Sequence, residues 1–173
     1  MATSFNSANK VFIRKNWNKP LLEFLSKITG DKLVYLGLPS PEAEDILEWI
    51  KYIKVVVAFQ CRDYKTKSST SQNRQAIEDL QRLLSKLERE KQIDTYTVFD
   101  GWLEEVVLRG YDNSPIRIDL NLSDFITLYN LDFCNSITSR IEFKDQSGAP
   151  QIAYKFDAIN KLLQIQKSLS KIS

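Results

Sequence analysis

Asp124-Phe-Ile-Thr-Leu-Tyr-Asn-Leu-Asp-Phe-Cys-Asn135 reads as a short buried strand, Phe125 to Leu131, that delivers Asp132, Phe133 and Asn135 to its carboxyl end. In open α/β sheets ligands bind at that end. An acid followed by an aromatic ring there suits a site that holds a polar group against a flat surface. Upstream, Lys32-Leu-Val-Tyr-Leu-Gly-Leu-Pro-Ser40 repeats the design, a strand running into a turn and then a helix. Together the two stretches predict a nucleotide-type α/β domain.

Working outward, two further strands fit between them. Lys54 to Phe59 is a run of β-branched and apolar residues bounded by polar ones, and Thr95 to Phe99 is a third strand. Leu33 to Leu38 is apolar at nearly every position, as expected of a strand covered on both faces. Helices fall between the strands. The first spans Pro20 to Ile28 with Asn18 as cap and Leu21, Leu22, Phe24, Leu25 and Ile28 as its apolar face. Ser40, Pro41, Glu42 and Glu44 carry start signals for the second. Asn73 to Lys91 is long and amphipathic, and Asp100 opens a short helix through Val107. Ile116 to Leu120 alternates as an extra strand would, Gly148-Ala-Pro150 closes an irregular connection, and a last helix runs from Ile152 to Ser168. Trp17, Trp49 and Trp102 read as core or half-buried anchors.

The alternation of strand and helix predicts a three-layer, Rossmann-like α/β domain with a parallel sheet. Right-handed crossovers set its strand order at 3-2-1-4, with Leu33–Leu38 and Phe125–Leu131 as parallel neighbours. Residues 1–18 read as an N-terminal arm and 19–173 as the domain. The far strands of a complete sheet of this kind are missing, so the chain is expected to be the front part of a longer protein.

Composition narrows the chemistry. A chain of 173 residues with 24 basic and 22 acidic side chains has a net charge of +2, too near neutral for a dedicated nucleic-acid binder. The polar, basic stretches at Lys65 to Arg74 and at Lys10, Arg14, Lys15 and Lys19 leave only a weak case for one. The sequence has no histidine, which removes the usual general base and every Ser-His or Cys-His mechanism. Two distant cysteines, Cys61 and Cys134, are no disulfide framework and make a zinc site very unlikely, so no metal is expected. No apolar run approaches the roughly 20 residues that span a bilayer. The start lacks a signal peptide's basic and apolar parts, and the expected location is cytoplasmic, with no membrane partner.

The order of elements resembles the front half of class I S-adenosylmethionine-dependent methyltransferases. In Leu36-Gly-Leu-Pro39 and Asn130-Leu-Asp-Phe-Cys134 it is similar to poorly characterised bacterial methyltransferase-like proteins. The likeness covers roughly Lys19 to Ile172. It implies S-adenosylmethionine as cofactor, with the methionine part beside the turn from Gly37 through Pro39 to Ser40. It implies ribose contact at the end of the second strand, where Gln60 stands, and adenine contact at Asp100. Asp132 would then orient the methyl acceptor, and Phe133 would wall the donor. Two positions depart from the family pattern. Gly37-Leu38-Pro39 holds one glycine where Gly-x-Gly lets the backbone approach the cofactor. Gln60 replaces the usual carboxylate, and an amide binds a ribose without charge assistance. The expected function is a methyltransferase-like domain with weakened cofactor binding. The alternative is a non-catalytic α/β module that binds a protein partner, or dimerises through an exposed sheet edge.

Overall fold

Apolar runs that face both ways become the inner strands of a sheet covered on both sides, and this chain has two of them, Leu33–Gly37 and Ile53–Gln60, at the centre of four strands in register. The computed structural model describes residues 12–30, 33–40, 42–60, 70–109, 126–131, 137–145 and 147–169. A π-helical turn, Arg14–Asn18, leads into α1 (Lys19–Thr29). Then follow β1 (Leu33–Gly37), α2 (Glu44–Trp49), β2 (Ile53–Gln60), α3 (Thr70–Arg89), β3 (Thr95–Asp100) and α4 (Leu103–Arg109). β4 (Ile126–Asn130), β5 (Arg140–Lys144), β6 (Pro150–Tyr154) and α5 (Lys155–Leu169) complete the order.

The main sheet has the order β3-β2-β1-β4, and every pairing in it is parallel. Leu33 pairs with Ile126 and Gly37 with Asn130, so the expected adjacency of the first and fourth strands holds. Side chains alternate between two cores. Leu33, Tyr35, Ile53, Val56 and Ala58 pack with Leu22, Ile46, Trp49, Leu80 and Leu84 beneath α1, α2 and α3. Val34, Leu36, Val57 and Phe59 pack on the opposite face with Leu103, Val106, Ala158 and Leu162 of α4 and α5. Helices on both faces of a parallel sheet give the three-layer Rossmann-like architecture.

Five expectations need correction. Asn18 is itself helical and makes no side-chain cap, because the helix continues backward to Phe12. Pro20 has no N–H for the carbonyl four residues earlier, and the widened π turn ahead of it accommodates that gap. Of the apolar face assigned to this helix, Leu22 is buried and Leu25 partly so, while Leu21, Phe24 and Ile28 face outward. Trp17 is likewise no anchor; it is 69% exposed. The last helix begins at Lys155 rather than Ile152, because residues 150–154 pair with β5 as an antiparallel hairpin outside the main sheet. The second helix starts at Glu44, three residues later than Pro41 implied.

Asp132, Phe133, Asn135, Phe125, Cys61, Asp63, Cys134, Lys65, Lys67, Pro41 and the Ile116–Leu120 strand lie outside the described residues.

Candidate functional site at the carboxyl edge of the sheet

Parallel strands end together, so β1, β2, β3 and β4 bring Gly37, Gln60, Asp100 and Asn130 to one edge. Gly37 is level with Ala58 and Asn130, and Gln60 with Asp100. The Gly101 N–H donates to the Gln60 carbonyl at 3.3 Å, which ties the two strand ends past their last pair. Val98 packs against the α1–α3 core and Phe99 belongs to the other, so alternation turns Asp100 to the same side as Gln60.

The turn after β1 is built around a buried carboxylate. Asp45, 3% exposed, accepts the Tyr35 hydroxyl at 2.6 Å and the Asn130 amide at 2.6 Å on Oδ2, and the Ser40 N–H at 3.0 Å on Oδ1. The Asn130 amide nitrogen also lies 2.9 Å from the Tyr35 hydroxyl and 3.2 Å from the Leu38 carbonyl. Ser40 Oγ accepts the Glu44 N–H at 2.7 Å. The Ser40 hydroxyl and the Asp45 carboxylate thus each accept a backbone N–H at the start of α2, much as the two side chains of a capping box do, but across a longer span. Ala43 fills the extra span in the left-handed region at φ 52°, at a cost of about 1–2 kcal/mol for a residue with a Cβ.

Gly37 answers to the neighbouring strand. A Cβ there would overlap the Asn130 carbonyl oxygen and come within 2.7 Å of its carbon. The Leu38 N–H then donates to that same carbonyl at 2.9 Å. Between β1 and β4, where the strand order reverses, the protein's own Asn130 therefore bridges the crevice.

A cleft of about 180 Å³ opens beside this turn, lined by Ser40, Glu42, Ala43, Gln60, Ala76, Asp79, Leu80 and Leu83. It lies between the start of α2, the end of β2 and the first half of α3. Asp79 is held by Arg82 at 3.1 Å and by the Gln75 amide at 3.0 Å, while Glu42 is exposed. Among the described residues the lining carries two carboxylates and no lysine or arginine.

Of the residues singled out from sequence, the cleft takes in Gln60 and Ser40. Asp100 is its register partner one strand over, and Gly37 and Pro39 stand on the turn behind it. Asp45, Asn130, Glu42 and Asp79 were not singled out as site residues. Asp45 could have been found by spacing, since it sits four residues before buried Trp49 and so falls on the inward face of α2. Among the described residues no group of three or more metal-ligating side chains comes together, and no helix is long and apolar enough to cross a membrane.

Compared with family models, curated proteins and solved structures, the chain matches none. The Rossmann-like architecture stands on strand order, direction and register.

A second buried polar feature lies on the opposite face. Lys155 Nζ meets Glu104 Oε1 at 3.3 Å, with both side chains almost fully enclosed between α4 and α5, and among the described residues Glu104 Oε2 has no hydrogen-bond partner. Burial pushes the adjacent Glu105 above the usual carboxylate range; Arg109 opposes that and Glu104 adds to it.

Proposed function

We propose that this chain is a methyltransferase-related Rossmann-like domain that takes an adenosine-type ligand, S-adenosylmethionine first, weakly at the carboxyl edge of its sheet. The observation that carries the reading is Gln60, which lines the cleft beside Ser40 and Glu42 and is level with Asp100 on the next strand. In this reading the amide of Gln60 meets ribose hydroxyls and Asp100 the adenine. The acidic lining suits a ligand with a sulfonium and an ammonium group. It disfavours a pyrophosphate, which calls for a glycine turn and positive charge. Methyl transfer by in-line displacement depends on positioning more than on a strong base, so the absence of histidine is no obstacle. Asp132 and Phe133, just beyond β4, are the residues assigned to acceptor and donor.

The test is calorimetric titration with S-adenosylmethionine and its demethylated product, with ATP and NAD as comparisons. The expected result is binding on the order of 0.1–1 mM, about 4–5.5 kcal/mol, for the first two alone. Gln60→Ala should abolish it. No heat and no rise in melting temperature at millimolar ligand overturns the reading, since a ligand that binds only the native state must stabilise it.

A second reading is the non-catalytic interaction module, and one observation favours it. The Asn130 amide occupies the point where the strand order reverses, the usual ligand crevice of such sheets. Failure of every nucleotide above would leave this reading in place.

A further inference from the structure

The composite helix from Phe12 to Thr29 has a second apolar face that the sheet does not use. Ile13, Trp17, Leu21, Phe24 and Ile28 are each 50–69% exposed. Their spacing of four, four, three and four residues is that of a helix-packing seam rather than of scattered surface residues. Leu22 and Ser26 on the opposite side hold the helix to the core. Isolated exposed leucines need no explanation, but a continuous stripe of this size does.

We infer that this stripe is a homodimer interface, with two copies packing the helix antiparallel about a two-fold axis near Leu21. Three observations single out a second copy as the occupant. First, the stripe is its own complement. Ile13 and Ile28 are equidistant from a midpoint between residues 20 and 21, and so are Trp17 and Phe24. An antiparallel copy therefore sets isoleucine on isoleucine and tryptophan on phenylalanine, with Leu21 beside the axis. An isologous contact requires this kind of self-matching. Second, the area is adequate. With full side-chain areas of roughly 150–250 Å² for the aromatic residues, the five expose roughly 600 Å² together. Two copies would bury about 1,200 Å², the lower bound of stable interfaces. Third, Lys19 and Glu23 lie four residues apart on one flank and straddle nearly the same midpoint. The two-fold axis sets each beside the other's counterpart. The inference uses none of the cleft residues and stands independently of ligand binding.

Light scattering on the whole chain at about 0.1 mM tests it, a concentration a hundredfold above the micromolar Kd at the weak end for such interfaces. The expected mass is twice the 20.1 kDa of the chain. Trp17→Glu and Phe24→Glu should each give a monomer with an unchanged circular dichroism spectrum, while Leu47→Glu, an exposed apolar position on α2, should leave the dimer intact. Leu21→Cys should cross-link under mild oxidation to a dimer band that the wild-type chain, with its own two cysteines, does not give. A wild-type monomer overturns the inference, as does a dimer that survives both glutamate substitutions. A monomer that sediments with vesicles of anionic lipid also overturns it, and assigns the stripe to a membrane surface.

Discussion

Gly37 stands directly opposite Asn130 across the β1–β4 pair, so close that a single methyl group on Gly37 would overlap the Asn130 carbonyl. The contact is between two backbones, and neither can yield without opening the sheet. Gly37→Ala is therefore expected to destabilise the fold by about 3 kcal/mol, the upper part of the usual range for overpacking. Gly101→Ala provides the control. Its Cβ would lie 3.0 Å from a Val106 methyl, a side chain that can shift, and the expected loss is about 1 kcal/mol. Urea unfolding of both variants measures the difference.

Asp45 gathers donors from three elements: Tyr35 on β1, Ser40 in the turn and Asn130 on β4. Asp45→Ala takes an acceptor from all three and should cost about 3 kcal/mol, whereas Tyr35→Phe removes one hydroxyl and should cost about 1 kcal/mol. The double variant should fall short of the sum by about 1 kcal/mol, as for residues in one network. Additive losses in denaturant titrations would show that the network is not a unit.

The sequence makes some of these features plain and hides others, for physical reasons. β1 and β2 are legible because strands buried on both faces need unbroken apolar runs, and little else with β-branched residues in a row folds differently. The hairpin is not legible. Arg140-Ile-Glu-Phe-Lys144 is half charged, and Ile152 continues the helical spacing of Phe156 and Ile159, so residues 150–154 read as part of the helix that follows them. Asp45 does not stand out in the sequence because an acid in a first helical turn is already accounted for by the helix dipole. Asn130 closes a strand two residues before Asp132, and the acid drew the functional reading. The strands reached Gln60 and Asp100 correctly, because parallel topology alone fixes which residues end at the same edge.

The Lys155–Glu104 pair joins α4 to α5 with almost no solvent contact. Truncating one partner leaves the other charge buried without this counter-charge, and Glu104→Leu or Lys155→Met should each cost about 3–5 kcal/mol. The double substitution should recover most of that loss, because two apolar side chains of similar size suit the same space. Thermal melts of the three variants decide it. A double variant as unstable as the singles would mean that the charges do more than neutralise one another.

Asp145 organises the β5–β6 turn. Its carboxylate accepts the Ser147 hydroxyl at 2.6 Å, the Gln151 amide at 2.7 Å, and the Ser147 and Ala149 N–H groups at 2.9 and 3.0 Å. The Ser147 hydroxyl, then the Gln151 amide, hold its pKa below the ordinary 3.8. For an acid with a lowered folded-state value, the stabilisation is complete above the ordinary value. It is lost as pH falls through the folded one. Hydrogen-exchange protection of the hairpin amides should thus hold at about pH 6 and fall only once the pH drops below the ordinary 3.8 in the wild type. In Asp145→Asn it should be low at both.

The π turn ahead of Pro20 also sets a phase. An α-helix advances by about 100° per residue, so eight residues of regular helix would leave Ile13 about 80° around from Leu21. A π turn takes up about one residue more, which brings Ile13 back to within about 20° of Leu21. Deleting a single residue between 14 and 18 would restore a regular helix with Ile13 and the present Leu21 seven residues apart, again within about 20° of one another. The irregularity that lets proline into the helix is also what keeps its outer seam straight.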